Sequence, residues 1–206
     1  MRTAVVVFAI GLVSAILGGP QVASQDKSDW TDLFARDFKD WTREGVGKSP
    51  WKTTADRTLI CAAAEDSLGP KRPFGDGTFK FEYRFQPVKG SGTPAHKAML
   101  LIRGKGEDAW CRLALGDDCG ALTAAFAAAG ADAPKTVEVP GPAGLARAPG
   151  EWNEVQVKLA GKAVEVQING KPATSFVQAD AGQTRFAFEV LGSAIEFRKV
   201  MWKDAK

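Results

Sequence analysis

The sequence predicts an all-β fold, with antiparallel strands arranged as a sandwich or barrel. Three observations carry this. The stretch from Gly77 to Phe85, GTFKFEYRF, alternates cleanly, with Phe79, Phe81, Tyr83 and Phe85 on one face and Lys80, Glu82 and Arg84 on the other. The stretch from Gly150 to Lys171, GEWNEVQVKLAGKAVEVQINGK, alternates twice. Such alternation puts one face of a strand on a core and the other in water. Short runs of this kind recur along the chain, with Gly, Pro and Asn between them and little helical period.

The first segment stands apart from the fold. Met1-Arg2 gives a positive start, residues 4–17 (AVVVFAIGLVSAIL) are apolar, and Val22-Ala23-Ser24 are small. This is the pattern of a secretory signal peptide cleaved near Ser24. The apolar run is short against the ~20 residues that a membrane span needs. Residues 1–24 are therefore read as a signal peptide, and residues 25–206 as one exported domain, periplasmic or extracellular. No later run is apolar enough to form a transmembrane helix.

Within that domain, Trp30, Leu33, Phe34, Phe38 and Trp41 supply early anchors, and TLICA (58–62) reads as a short strand. The strand 77–85 follows. After the loop KGSGTP (89–94) come AMLLIR (98–103) and WCRLAL (110–115), joined by a Gly-rich turn. Residues 121–133 are Ala-rich and read as either a short helix or a loose loop. Residues 137–139 suggest a strand, and 140–150 a Pro/Gly loop. In the next hairpin, Val155, Val157 and Leu159 match Val164, Val166 and Ile168, with Gly161 at the turn and Asn169-Gly170 opening another. Residues 185–191 and 195–202 close the chain as two more strands around Gly192-Ser193.

The formal net charge of +3 over 206 residues shows no strongly basic face and argues against a nucleic-acid partner. The single histidine, His96, leaves no Cys/His metal spacing, so no metal site is assigned. No Gly-rich dinucleotide fingerprint follows a strand, and no cofactor is assigned. Of Cys61, Cys111 and Cys119, the last two are near enough in sequence to pair, and three buried thiols are the alternative. Oligomeric state is not encoded in any pattern here.

Several stretches together resemble one bacterial family. DLFARDFKDWT resembles its opening "LFNGKDLSGW". GTFKFEYRF and MLLIR resemble two of its strands, GEWNEVQVKLAGKAVEVQINGK its "GeWN" hairpin, and IEFRKVMWKD its terminal strand. The order and spacing are those of the DUF1080, or 3-keto-disaccharide hydrolase, family. The resemblance implies a concanavalin A-like jelly roll of two antiparallel sheets. It also implies chemistry on 3-keto-glycosides, a carbohydrate partner whose C3 hydroxyl has been oxidised to a ketone. The ketone acidifies the C2 proton, so a base removes it, an acid helps the C1 group leave, and water adds back. The alternative is a catalytically inactive carbohydrate-binding or matrix-interaction module on the same sandwich.

Departures from the family pattern fall on polar positions. Its "GYEVQILD" strand is here AWCRLALGD, with Cys111 aligned to Glu and Leu113 to Gln. Its "LQ.HG" is FEVLG, with Glu189 for Gln and Leu191 for His, and its "NSG" is Lys97-Ala98-Met99.

The remaining candidates are strand residues. Glu82 and Arg84 share one face, Arg103 ends the next run, and Trp110 and Arg112 share a face of the run after it. If those strands are neighbours, a carboxylate, arginines and an aromatic ring converge. Glu82 is then the expected general acid/base and Arg103 its catalytic partner at the enolate, with Arg84, Trp110 and Arg112 binding substrate. The competing reading is a solvated face of cross-strand ion pairs worth ~0.2–1 kcal/mol each. Asp117-Asp118 form either a polar turn or a carboxylate pair suited to Ca²⁺ or acid/base work. His96 is a loop histidine with the chemistry of a base, and Glu189 a replacement acid.

Overall fold

The computed structural model describes residues 29–35, 38–62, 64–87, 96–104, 109–126, 133–177 and 185–206. The expected signal peptide lies outside the described residues, as does the loop 89–94. The strands, in chain order, are β1 (Thr31–Asp32), β2 (Trp41–Arg43), β3 (Trp51–Thr53), β4 (Leu59–Cys61), β5 (Glu65–Pro70), β6 (Gly77–Phe85), β7 (Ala98–Gly104), β8 (Trp110–Ala114), β9 (Leu122–Phe126), β10 (Lys135–Val139), β11 (Asn153–Ala160), β12 (Ala163–Ile168), β13 (Lys171–Val177), β14 (Ala187–Leu191) and β15 (Ile195–Asp204).

They form two antiparallel sheets packed as a jelly-roll sandwich. The first has the order β13-β12-β11-β6-β15-β4-β3, with β1 paired to β15, and the second the order β10-β9-β8-β7-β14-β5-β2. No helix occurs among the described residues, and none is long and apolar enough to cross a membrane.

The period-two runs account for the layering. On β6 each odd-numbered residue from Phe79 to Phe85 is buried and each even-numbered one is half-exposed. The inward rings meet rings from β14 and the residue before it. Phe79 stacks on Phe186 at 4.5 Å between centroids, and Phe188 on Phe197 at 4.0 Å. Each such pair joins the two sheets and adds ~0.5–1.5 kcal/mol beyond area burial. Trp202, fully buried, closes one end of this aromatic layer against Phe74 at 4.9 Å.

Two irregular features depart from simple alternation. The Ala-rich segment contains neither helix nor loose loop at 122–126 but β9, which pairs with β8 and β10. Small side chains suit that position, since Ala124 and Ala125 are buried. On β15 the register with β6 shifts between Arg198 and Met201, and Lys199 adopts a φ of 51°. This is a bulge, in which an extra residue opposes one partner and re-aims its neighbours.

All three cysteines are buried and form no disulfide, so the pairing of Cys111 with Cys119 is not formed. Cys111 points into the core from β8, whereas Cys119 lies in the turn after it, 3.2 Å from the Tyr83 hydroxyl.

Candidate functional site

The predicted convergence of site residues does not occur. β6 lies in the first sheet and β7 and β8 in the second, because the chain changes sheets between Phe85 and Ala98. Glu82 and Arg84 therefore face outward from one sheet, and Trp110 and Arg112 outward from the other. Two layers of core side chains separate them, across the ~10 Å spacing of packed sheets. Arg103 lies at the end of β7 and pairs with Cys111; its side chain is outside the described atoms.

On the outer face of the first sheet, the polar side chains satisfy one another. Glu82 accepts hydrogen bonds from Arg198 Nε and Lys199 Nζ, both at 2.6 Å. Burial pushes the Glu82 carboxyl up, but these two hydrogen bonds and the charges behind them outweigh it, leaving the group below its ordinary value. Arg84 donates to Glu196, not to Glu82. The Trp152 ring lies over the guanidinium groups of Arg84 and Arg198, at 4.5 and 3.9 Å. Glu82 is thus tied to two cations of β15, on the sheet opposite to Trp110 and Arg112.

The outer face of the second sheet has a different character. Alternation on β8 buries Cys111 and Leu113 and turns Trp110, Arg112 and Ala114 outward. Cys111 and Leu113, which stand where the family pattern has a polar Glu–x–Gln pair, are thus core residues in this chain. On β14, Phe188 and Val190 are buried while Glu189 faces out, and Leu191 is 41% exposed. β7 runs between these two strands. Arg112 reaches across it and grips Glu189 with both arms, Nε to Oε2 at 2.7 Å and Nη2 to Oε1 at 3.2 Å. The same guanidinium lies 4.3 Å from the centre of the Trp110 ring. Ring and carboxylate thus fix the planar fork in one orientation. Trp110 is accordingly a support for Arg112 on that face of the ring, not an open stacking platform.

These residues line a groove of about 510 Å³, together with Glu44, Glu65, Ser67, Met99, Thr123 and Leu191. Glu189 has Met99 as its cross-strand neighbour on one side and Ser67 on the other, and Glu65 is the neighbour of Leu191. Glu65 is exposed and makes no ion pair among the described residues. The wall at Glu44 is rigid. Arg43 donates to Asp66 Oδ2 at 2.7 Å and to the carbonyls of Gly47 and Val46, each at 2.8 Å, while Asp66 also accepts from Trp51 Nε1 at 2.9 Å. A Cβ on Gly45 would lie 2.0 Å from Asp66 Oδ2, so only glycine fits there. Glu44 itself pairs with Arg185.

A second hollow, about 890 Å³, lies at one end of the sandwich and shares Met99 and Thr123 with the groove. His96 and Asp117 are in its wall. The His96 backbone N–H donates to Asp117 Oδ2 at 3.2 Å, the ring packs on Phe85 at 4.9 Å, and its Nε2 is buried without a partner. His96 is thus a packed residue, not the surface loop base that its sequence context suggests. Burial raises the Cys119 thiol against a lowering hydrogen bond from Tyr83, and burial raises the Tyr83 phenol well above its ordinary value. Asp117 and Asp118 form a turn, and among the described residues no group of three or more His, Cys, Asp or Glu is placed to hold a metal.

Sequence reasoning named Trp110 and Arg112 on one side of this groove and noted Glu189 for another reason. It missed Glu65 and the Arg43–Asp66 clamp. β2 has only three residues, and β5, EDSLGP, shows no apolar–polar alternation in its sequence.

Comparison with known proteins bears on the family and the fold of this chain. The model of the 3-keto-alpha-glucoside-1,2-lyase-like domain matches residues 29–203. No curated protein matches the chain in sequence. Among solved structures, a candidate glycosyl hydrolase from Parabacteroides distasonis superposes with a TM-score of 0.63 at 14% identity, covering 85% of this chain and 99% of the other. The carbohydrate-binding module CBM66 from Bacillus subtilis gives 0.58 at 11% identity, with 80% and 96% covered. The β-glucanase of Bacillus licheniformis gives 0.56 at 8% identity, with 86% and 97% covered. At these identities the likeness establishes the fold, the concanavalin A-like sandwich.

Proposed function

The chain belongs to the 3-keto-alpha-glucoside-1,2-lyase-like domain family, and from that premise we propose that it takes 3-keto-glycosides into the groove of the second sheet and cleaves them. The observation that carries this reading is the Arg112–Glu189 pair, held on Trp110 at the centre of the groove. A ketone at C3 makes the C2 proton acidic. Glu189 is the carboxylate placed to remove it. The C2–H electron pair forms a C1=C2 bond, the C1–O bond breaks, and the departing oxygen takes up a proton. Water then adds across the double bond, with OH to C1 and H to C2. The products are a 3-keto sugar and a free alcohol.

Arg112 contributes by holding Glu189 and by carrying further N–H donors. Two of its nitrogens bind Glu189, and a guanidinium has five N–H groups. The others can meet the C3 oxygen, where negative charge develops during proton removal. Each Glu189 oxygen keeps a lone pair beyond the one that Arg112 occupies.

One observation favours a second reading. Both oxygens of Glu189 are already engaged by Arg112, an arrangement equally suited to binding a glycoside without turnover. One experiment separates the two. The protein is incubated with 3-keto-trehalose, and free 3-ketoglucose is assayed beside equilibrium binding. Release supports cleavage, saturable binding without release supports the binding module, and neither overturns both. Export is part of the same proposal, supported by the apolar run at residues 4–17 and the small residues before Gln25.

A further inference from the structure

Cleavage in this groove needs a second proton-transfer group. Glu189 takes the C2 proton, but the departing C1 oxygen must gain a proton and the incoming water must lose one. Most carboxylates at the groove are committed: Glu44 pairs with Arg185, Asp66 with Arg43 and Trp51, and Glu189 with Arg112. Glu65 is exposed and makes no ion pair among the described residues.

The place of Glu65 suits that second role. On β5, Glu65 and Ser67 face outward while Asp66 and Leu68 are buried. Ser67 is the cross-strand neighbour of Glu189, and Glu65 is the neighbour of Leu191, two residues further along β14. Glu65 and Glu189 are therefore diagonal neighbours on one sheet face, a relationship that sets residues about 7–8 Å apart. Pairs of carboxyl groups that flank a glycosidic bond work across about 5–9.5 Å. The two residues also differ in charge environment. A carboxyl that begins the cycle as the anion belongs beside a cation, as Glu189 is beside Arg112; one that carries a proton belongs away from cations. A bound sugar takes Glu65 out of water, which favours the protonated form of a carboxyl.

We propose that Glu65 is the second catalytic residue of the groove, acid in the first step and base in the second. The proposal rests on the reading of the groove as a cleavage site and assigns the proton donor of that reaction. In the elimination, the Glu65 O–H bond breaks and its proton goes to the departing C1 oxygen, while Glu189 takes the proton from C2. In the hydration, the Glu65 carboxylate takes a proton from water as its oxygen bonds to C1, and Glu189 returns its proton to C2. Both carboxyl groups end as they began, so the cycle closes without a further reactant.

The test compares turnover of methyl 3-keto-α-glucoside and 4-nitrophenyl 3-keto-α-glucoside by the parent protein and by Glu65→Gln. Methanol needs a proton to leave, whereas 4-nitrophenolate departs as the anion. Glu65→Gln is expected to slow cleavage of the methyl glycoside about 10²–10⁴-fold and to leave nitrophenolate release within a few-fold of the parent. With hydration also slowed, the unsaturated ketone formed from the nitrophenyl substrate should accumulate and be visible by its ultraviolet absorbance. The melting temperature should be nearly unchanged, since Glu65 is exposed. Parental turnover of the methyl glycoside in Glu65→Gln, or equal losses on both substrates, overturns the assignment of Glu65 while leaving the cleavage reading intact. A parent protein that cleaves neither substrate overturns the cleavage reading and this inference with it.

Discussion

Lys199 Nζ lies 2.6 Å from Glu82 Oε1, and the bulge in β15 is what brings it there. In an unbroken strand Lys199 would point opposite to Arg198, into the core. With its φ of 51° and the register shift that follows Arg198, both cations face the same carboxylate. Glu82 is thus a cross-strand anchor of the first sheet. Glu82→Gln is expected to lower stability by about 1–3 kcal/mol at pH 7 and to leave ligand binding in the opposite sheet unchanged. Loss of binding with stability intact would contradict this assignment.

The same pair sets a pH dependence. The folded carboxyl of Glu82 lies below its ordinary value, with burial opposing and the Lys199 and Arg198 contacts prevailing. A depressed carboxyl stabilises the fold fully above the unfolded value of about 4.3. That contribution is lost as pH falls through the folded value. The melting-temperature gap between the parent and Glu82→Gln should therefore be constant from pH 6 to 8 and close below about pH 4. A gap that widens in acid would refute the sign.

How far the sequence reveals this depends on the kind of information required. The β6 and β11–β12 runs are long enough for alternation to fix their buried faces, and Phe79, Phe81, Val155 and Val157 are buried as that pattern predicts. Alternation says which face is buried but not which sheet a strand joins. β6 and β7 are consecutive in sequence and fall in different sheets, and this separates Glu82 and Arg84 from Trp110 and Arg112. The Arg112–Glu189 pair spans 77 positions. Nothing local to either residue encodes their meeting. β9 was obscured for a different reason: its alanines have high helix propensity, and tertiary packing overrides that weak preference.

Asn169 explains why a Trp-Asn start and an Asn-Gly turn occur together. Its Nδ2 donates to Asn153 Oδ1 at 2.9 Å and to the Leu145 carbonyl at 2.8 Å, while its Oδ1 accepts from the Glu154 N–H at 3.0 Å. Its φ is 52°. Asn153 in turn accepts from the Arg147 N–H at 2.8 Å, so the two amides fasten the loop 140–150 to the sheet. Asn169→Gly keeps the backbone geometry and loses only the side-chain bonds, whereas Asn169→Ala loses both. Denaturant titration should place Ala below Gly by about 1 kcal/mol, and both below the parent protein. The reverse order would show that the turn conformation is not what selects asparagine.

The buried thiols should be inert in the folded protein. Burial pushes Cys61 up to about 12, with Asp66 adding to the rise and Arg43 opposing it. The thiolate is the reactive form. At pH 8 a thiol reagent such as DTNB is expected to label the native protein at least ~100-fold more slowly than the unfolded one. Rapid labelling of Cys61 without unfolding would show that the β3–β4 end of the first sheet opens.

The last prediction concerns Arg112 and Glu189 and decides between the two proposed roles of the groove. Arg112→Lys keeps the positive charge but gives up the two-armed grip on Glu189 and the planar stack on Trp110. A lysine offers a point charge with three rotatable donors, so the geometry that orients Glu189 is lost while the electrostatic field largely remains. Affinity for a 3-keto-glycoside should fall about 10–100-fold if the fork does the recognising, with a stability change of about 1 kcal/mol, since the pair is partly exposed. Glu189→Gln keeps shape and one acceptor oxygen and removes the proton-accepting carboxylate. In an enzyme it should cut turnover by about 10²–10⁴ while affinity stays within a few-fold. In a binding module there is no turnover to lose, and affinity follows the Arg112 pairing alone. Turnover that persists at the parental rate in Glu189→Gln would remove Glu189 from the chemistry and return the base to another groove residue, with Glu65 the next to test.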